Sequence, residues 1–283
     1  MDTDTETEIK RLAAFSDGAT GGNPAGVFVG NILPSEAEMQ KIAADVGYSE
    51  TVFAAPDGDG WRVRYFSPEE EVAFCGHATV ALGSVLAEQG KEGTFSLHLN
   101  SGNITVEAHR DGDAVQATLT SPPTRSAAAD PGLVDAALKL FGYQPADLDP
   151  ALPPGLAHAG NDHLILALRD RAALARMDYD LAKGARLMRQ HGLTTIDLVW
   201  IETKRKFHSR NAFAVGGVLE DPATGAAAAA LSGYLRDISW PHEGAIDIVQ
   251  GDDMGSRSLL HAEISDVAGK GIRVSGSTRA IER

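Results

Sequence analysis

Two stretches of this chain read as helices without a polar face. Cys75-Gly-His-Ala-Thr79 opens one that runs to about Gln89, and Asp221-Pro-Ala-Thr-Gly225 opens a second over Ala226 to Arg236. Both are rich in small residues along most of their length rather than along one stripe. A surface helix keeps a polar side, whereas a helix that is small and apolar all round is buried on all sides. Each must therefore be surrounded, and a curved sheet is the element that can do it. Each helix follows a tight loop, which suggests an internal duplication at a period far too long for a solenoid. The economical architecture is two similar α/β (α+β) domains, each a curved sheet wrapped around a central helix.

The rest of the chain fits that plan. Its 283 residues are comfortable for two domains of ordinary size. Arg11 to Phe15, Ala25 to Val29 and Trp61 to Phe66 read as strands. Ser35 to Val46 reads as a helix with Ser35 as N-cap and Glu38 three residues on. Phe95 to Leu99, Ile104 to Ala108 and Val115 to Leu119 read as a meander turned at Ser101-Gly-Asn103 and Asp111-Gly-Asp113. Ser121 to Gly132, rich in proline and small residues, is the linker expected between domains. Beyond it, helices are expected at Leu133 to Phe141 and Leu181 to Gln190, and strands at His163 to Ala167 and Ile196 to Glu202. Ala245 to Gln250, Leu259 to Ile264 and Gly271 to Val274 read as closing strands. The expected domains are residues 1–120, joined by a returning C-terminal strand, 265–283, and residues 125–264.

Charge and composition exclude several functions. A net charge of -14 argues against a nucleic-acid surface, which needs clustered Lys and Arg. The one basic run, Lys204-Arg-Lys206 with His208 and Arg210, reads as a solvated strand edge. No apolar run is long enough to span a bilayer, and the acidic Met1 to Glu8 reads as a frayed tail rather than a secretory leader. The single cysteine, Cys75, allows no internal disulfide, which fits a cytoplasmic protein. Gly18 to Gly26 lacks the Gly-Lys-Ser/Thr ending of a phosphate loop, and a strand rather than a helix follows it. His158, Asp162 and His163 lack a matched second cluster of ligands, so no metal is expected. Cys75 has no nucleophile-elbow context and reads as a small buried hydrophobe.

Two places carry chemistry. The starts of the apolar helices, near Gly76-His-Ala78 and Thr224-Gly-Ala226, present unpaired N–H groups and the positive end of the helix dipole. Two facing helix starts would bind a carboxylate without any Lys or Arg. The same glycines and alanines equally fit close packing of helix on sheet, and the pattern does not separate the two readings. Gly47-Tyr-Ser-Glu-Thr-Val-Phe53 places Glu50 where a helix passes into an apolar strand. Partial desolvation there would raise its pKa towards the range useful for acid–base work.

Gly22-Asn-Pro-Ala25, Ser49-Glu-Thr51, Phe66-Ser-Pro68, Cys75-Gly-His-Ala-Thr79 and Glu220-Asp-Pro-Ala-Thr-Gly225 occur in that order, followed by Gly251-Asp-Asp-Met-Gly255 and Val274-Ser-Gly276. In these motifs the chain resembles the phenazine-biosynthesis PhzF-like family, itself related by fold to diaminopimelate epimerase and proline racemase. The resemblance covers nearly the whole chain. It implies a diaminopimelate epimerase-like fold of two pseudo-symmetric domains, an active site in the interdomain cleft, a homodimer, and neither metal nor organic cofactor. It also implies an isomerase acting on a small carboxylate-bearing metabolite. Glu50 would move a proton between carbons, with His77 and Asp221 orienting the substrate and Asn23, Gly76, Ala78, Thr224, Gly225 and Ala226 binding it. The chain departs from the family at Arg210-Asn-Ala-Phe-Ala214, where the family commonly has Arg-x-Phe-Ala-Pro, and at Ala226, where it often has Ser. An amino-acid epimerase or racemase using Cys75 with Glu50 is the alternative enzyme. A two-thiol mechanism is excluded, because Pro222 stands where a second cysteine would be needed. A non-catalytic binding protein on the same fold is the other alternative, and the joint presence of Glu50, His77 and Asp221 speaks against it.

Overall fold

The computed structural model describes residues 9–282 apart from Lys91, Ser101 and Asp113. The acidic tail Met1 to Glu8, and the Ser101 and Asp113 positions of the two meander turns, lie outside the described residues. The fold is mixed α/β, and the chain divides into two compact units. One holds the described residues up to Ala14, Pro24–Leu119 and those from Ser277 onward; the other holds Phe15–Asn23 and Thr120–Gly276. The sequence expectation placed 15–23 and all of 265–283 with the first unit. The chain instead turns at Phe15, whose φ is 61°, and Phe15 accepts from the Leu259 N–H. The final strand is shared: its first part pairs with one unit's sheet and its last part with the other's.

The first unit contains β1 (Lys10–Ala14), β2 (Asn23–Val29), α1 (Glu36–Val46), β3 (Glu50–Asp57), β4 (Gly60–Phe66), β5 (Glu71–Val72), α2 (Gly76–Glu88), β6 (Gly93–Leu99), β7 (Gly102–Asp111) and β8 (Ala114–Thr120). Strand β3 runs parallel to β2, with Ala25 opposite Glu50, and antiparallel to β4, with Thr51 opposite Phe66. Helix α1 starts at the expected capping box: the Ser35 hydroxyl and the Glu38 carboxylate satisfy each other's backbone N–H groups. Left-handed Gly47 ends it, and Met39 and Ala43 pack on Phe28, Phe53 and Phe66. Helix α2 is buried from Gly76 through Ala87, as its lack of a polar face requires. At Gly83 a Cβ would stand 2.6 Å from the Val106 side chain, so the bare backbone lets β7 lie against the helix.

The second unit contains β9 (Arg125–Ala128), α3 (Pro131–Phe141), β10 (Gly155–His158), β11 (Asp162–Leu168), α4 (Arg171–Ala175), α5 (Leu181–His191), β12 (Thr195–Thr203), β13 (Lys206–Ala212), β14 (Glu220–Asp221), α6 (Gly225–Asp237), β15 (Ala245–Gln250) and β16 (Ser258–Glu263), followed by β17 (Arg273–Ala280). Leu164, Leu166, Leu168, Ile196, Leu198 and Ala212 form one apolar face, covered by α3, α4 and α5. Helix α6 is buried from Gly225 through Arg236.

Two expectations need correction. The segment Ser121 to Gly132 is largely structured rather than a linker: Arg125–Ala128 pairs antiparallel with β10, and Asp130 caps α3 with Pro131 in its first turn. The small side chains of Ser126, Ala127 and Ala128 fit a strand once β10 supplies the partner. The basic run is not a strand edge either. It forms the tip of the β12–β13 hairpin, and β13 is paired on both sides, by β12 and β15. Lys206 pairs with Glu202 and Arg205 with Glu243, so these cations are partly neutralised in place.

Candidate active site

Glu50 is the first residue of β3, at the point where the chain leaves the Gly47 cap of α1 and enters the sheet. It is 7% exposed. Its Oε2 lies 3.4 Å from Nε2 of His77, the second residue of α2. The Cys75 Sγ lies 3.3 Å from Nδ1 of the same imidazole. Burial pushes the Glu50 carboxyl up from its ordinary value, while the Ser49 and Cys75 side chains beside it pull the other way. A carboxyl so placed holds a proton more readily than a surface glutamate, which suits it to exchange one with carbon.

The loop that presents Cys75 and His77 is held from behind. The Thr79 hydroxyl donates to the Cys75 carbonyl at 2.7 Å. Its one proton is thereby committed, so the Tyr65 phenol must be the donor in the 2.7 Å Tyr65–Thr79 contact. Burial pushes that phenol up, so it stays protonated. Tyr65 was not picked out from the sequence, where it reads only as an inward residue of an alternating strand. Cys75, read there as a small buried hydrophobe, is in contact with His77 and lies beside Glu50. Among the described residues, Glu50, Cys75 and His77 are the one group whose donor atoms, all within 4.8 Å of each other, are of the kinds that bind a metal such as zinc. From the sequence, His158, Asp162 and His163 read as scattered residues rather than a metal site. There Asp162 bonds His158 across the β10–β11 turn, and His163 points to the opposite face and bonds Thr195.

Asp221 anchors a second cluster, in the second unit. Glu220 and Asp221 are adjacent in β14 and so face opposite ways. Glu220 takes a bidentate bond from Arg210, whose guanidinium also donates to the carbonyls of Ala175, the last residue of α4, and of Met177 just beyond it. Arg210 thus ties β14 to the end of α4. Asp221 turns the other way: its Oδ1 accepts from Asn23 Nδ2 at 2.7 Å, and its Oδ2 from the Thr224 hydroxyl at 2.6 Å. Asn23 also donates to the Ala223 carbonyl. Gln250, which no motif pointed to, bonds the Asp221 carbonyl and the Thr224 hydroxyl through Nε2 and accepts from the Thr224 N–H. Its part depends on contacts 26 or more residues away, which no local pattern encodes.

The two central helices also begin differently from the others. Helices α1, α3, α4 and α5 are capped by the side chains of Ser35, Asp130, Asp170 and Asp180. The N-caps of α2 and α6, Cys75 and Thr224, make no side-chain cap bond. The first-turn N–H groups around Gly76 and Ala78, and around Gly225 and Ala226, are thus not closed off by a capping side chain. Among the described residues no helix is long and apolar enough to cross a membrane.

Residues 12–282 match the family model described as phenazine biosynthesis-like protein. A protein of Deinococcus radiodurans named an uncharacterized isomerase is 31% identical, over 98% of this chain and 93% of its own length. The trans-2,3-dihydro-3-hydroxyanthranilate isomerase of Pseudomonas chlororaphis is 30% identical, over 95% of each. Among solved structures, the PhzF-family protein of Bacillus anthracis superposes with a TM-score of 0.83 at 22% identity, covering 97% of this chain and 96% of its own. A probable proline racemase of Agrobacterium radiobacter gives 0.67 at 13% identity, covering 96% and 90%, which places the fold with the racemases and epimerases as well. The chain belongs to the phenazine biosynthesis-like (PhzF) family and is an isomerase.

Proposed function

We propose that this isomerase moves a proton between carbons of a small unsaturated or amino carboxylic acid, with Glu50 as the group that takes the proton and returns it. One observation carries this reading: a buried carboxyl, raised by desolvation, in contact with an imidazole at the start of a buried helix. In the ionised form Glu50 accepts a proton from the substrate carbon made acidic by its neighbouring carboxylate or double bond. In the protonated form it delivers that proton to the second carbon. The electron pair left at the first carbon shifts along the unsaturated system, so nothing is oxidised and no organic cofactor or metal is called on. His77 and Asp221 orient the substrate, and Asn23, through Asp221, fixes that carboxylate's direction. The uncapped first turns of α2 and α6 supply N–H donors for the substrate's carboxylate, which explains how a chain of net charge -14 binds an anion. The interdomain cleft, homodimer and cytoplasmic location that the family resemblance implies belong to the same proposal.

The Pseudomonas chlororaphis relative makes a dihydro-hydroxyanthranilate one candidate substrate. Of the departures from the family, Ala212 and Ala214 pack in the apolar core beneath α3, α4 and α5, on the side away from Asp221, whereas Ala226, in the first turn of α6, bears on substrate choice. The test is incubation in D₂O with a panel of unsaturated carboxylic acids and amino acids, followed by NMR. Migration of a double bond with deuterium at the new C–H position supports the proposal; no exchange in any member of the panel counts against it. The contact of Cys75 with His77 favours one second reading, an amino-acid epimerase using Cys75 with Glu50, whose donor atoms, within 4.8 Å of each other, would have to separate to admit a carbon between them. It predicts deuterium at an amino acid's Cα with inversion and no movement of a double bond.

A further inference from the structure

The face of the second unit's sheet that turns away from α3, α4 and α5 is polar where a protein interior is ordinarily apolar. Asp197, Ser209, Asn211, Asp221 and Gln250 are all buried there. Strand register places them in two adjoining rows. Asp197 lies opposite Asn211, and Asn211 opposite Asp221; beside them Ser209 lies opposite Gln250. The rows are tied at both ends. The Ser209 hydroxyl donates to Asp197 Oδ1, and Gln250 Nε2 donates to the Asp221 carbonyl. Asn211, in the middle, is 0% exposed, and neither its Nδ2 nor its Oδ1 has a hydrogen-bond partner. A wholly buried primary amide with two donors and an acceptor unmatched is rare, and such groups are as a rule satisfied by internal water. Side chains directly opposite on neighbouring strands stand about 5 Å apart at Cβ, a gap that one water bridges.

We propose that Asn211 holds an internal water between the Asp197 and Asp221 carboxylates, and that this bridge makes Asp197 a positioning residue for Asp221. The water site stands on the Asn211 amide alone; its bearing on turnover rests on the role proposed for Asp221. No covalent step is involved. When Asp197 is ionised, the water spends one of its protons on that carboxylate. When Asp197 is protonated, its O–H donates to the water, which frees both water protons for Asn211 Oδ1 and Asp221. Asp221 then gains a further donor beside Asn23 and Thr224, which holds its orientation more firmly.

Burial pushes the Asp197 carboxyl up to about 7 against the Ser209 hydroxyl, so the two forms interchange near neutral pH. The groups around it leave that equilibrium to the water and its neighbours. Strand β11 offers Ile165 opposite and His163 diagonally, and burial pushes His163 down to about 3, so it is neutral throughout. Strand β13 offers Ser209 and Asn211, β14 offers Asp221, and β15 offers Gln250. Helix α6 carries no charged side chain before Arg236, which is bonded to Thr124 and the Lys270 carbonyl.

The test reads the carboxyl carbons directly, in protein labelled with ¹³C at aspartate Cγ, with the two signals assigned through Asp197→Asn and Asp221→Asn. In the folded wild type the Asp197 signal should titrate near neutral pH, and the Asp221 signal should step at the same midpoint. In Asn211→Leu, Asp197 should still titrate while the step at Asp221 disappears, and water-deuteron relaxation dispersion should count at least one fewer long-lived internal water. Should Asn211→Leu not fold, Asp197→Asn, which is nearly isosteric and uncharged at every pH, should abolish the Asp221 step by itself. An Asp221 signal that stays flat through the Asp197 midpoint in the wild type overturns the proposal, as does an unchanged count of internal waters in folded Asn211→Leu. None of these readouts needs turnover, so they stand or fall apart from the role of Glu50.

Discussion

Cys75 is the residue whose surroundings change the chemistry most. Its thiol lies against His77, which in turn touches Glu50, so a side chain that packing alone would explain sits beside the proposed proton carrier. If Glu50 works alone, the thiol contributes neutral contacts that steady the imidazole and the carboxyl. Such a bond is worth about 1 kcal/mol, so Cys75→Ala should lower kcat/KM by about tenfold or less. Measured beside Glu50→Gln, with melting curves to confirm folding, a loss in Cys75→Ala as deep as in the glutamate variant would favour the two-base epimerase reading. The departure at Ala226 belongs to this scale too: a serine there would add a hydroxyl in the first turn of α6, where the chain offers only backbone donors.

At the scale of elements, the central helices explain why sequence reading reached as far as it did. Helix α2 is buried on every side because none of its residues supplies a polar face, and that property is local enough to read directly from Gly76 to Ala87. Its closeness to β7 depends on Gly83. Gly83→Val would drive a branched side chain into Val106, and overpacking of this kind costs about 1–3 kcal/mol. Urea unfolding should show a lower midpoint with an unchanged slope; an unaltered midpoint would mean that the sheet yields there. The capping box of α1 was legible for the same reason, since Ser35 and Glu38 satisfy each other within one turn. Strand β9 was not legible, because Arg125–Ala128 becomes a strand only through β10, some 30 residues on. Gln250, Tyr65 and the Asp197–Asn211 row were hidden likewise: each owes its role to a partner on another strand. The motifs marked Glu50, His77 and Asp221 through the family resemblance, whereas the contacts between Glu50, His77 and Cys75 needed the fold.

At the scale of the whole molecule, two buried groups in the second unit pull its pH-dependent stability in opposite directions. Asp197 is raised from 3.8 to about 7, so the folded state binds the extra proton and this group's contribution falls as pH rises between those values. His163 is lowered from 6.5 to about 3, so the folded state excludes a proton and stability falls as pH drops through that window. Between about pH 6.5 and 4 the two slopes offset each other. Asp197→Asn removes one of them. The variant should gain stability at pH 8 relative to the wild type, and should lose up to roughly 3 kcal/mol more than the wild type on acidification from 6.5 to 4. Denaturant midpoints at pH 8, 6.5 and 4 check this; parallel profiles for the two proteins would contradict it.

The claim on which the functional account turns is that Glu50 carries the proton, and Glu50→Gln tests it most directly. Glutamine matches the shape and keeps hydrogen-bonding capacity but cannot take up and release a proton at neutral pH. With an acid found to exchange in D₂O, the measurement is the rate of deuterium incorporation at carbon in wild type and variant, with melting curves as the control for folding. The account predicts a folded variant whose exchange falls by about 10²–10⁴-fold or more, the range set by loss of a general acid–base group. Exchange at the wild-type rate in folded Glu50→Gln would contradict it.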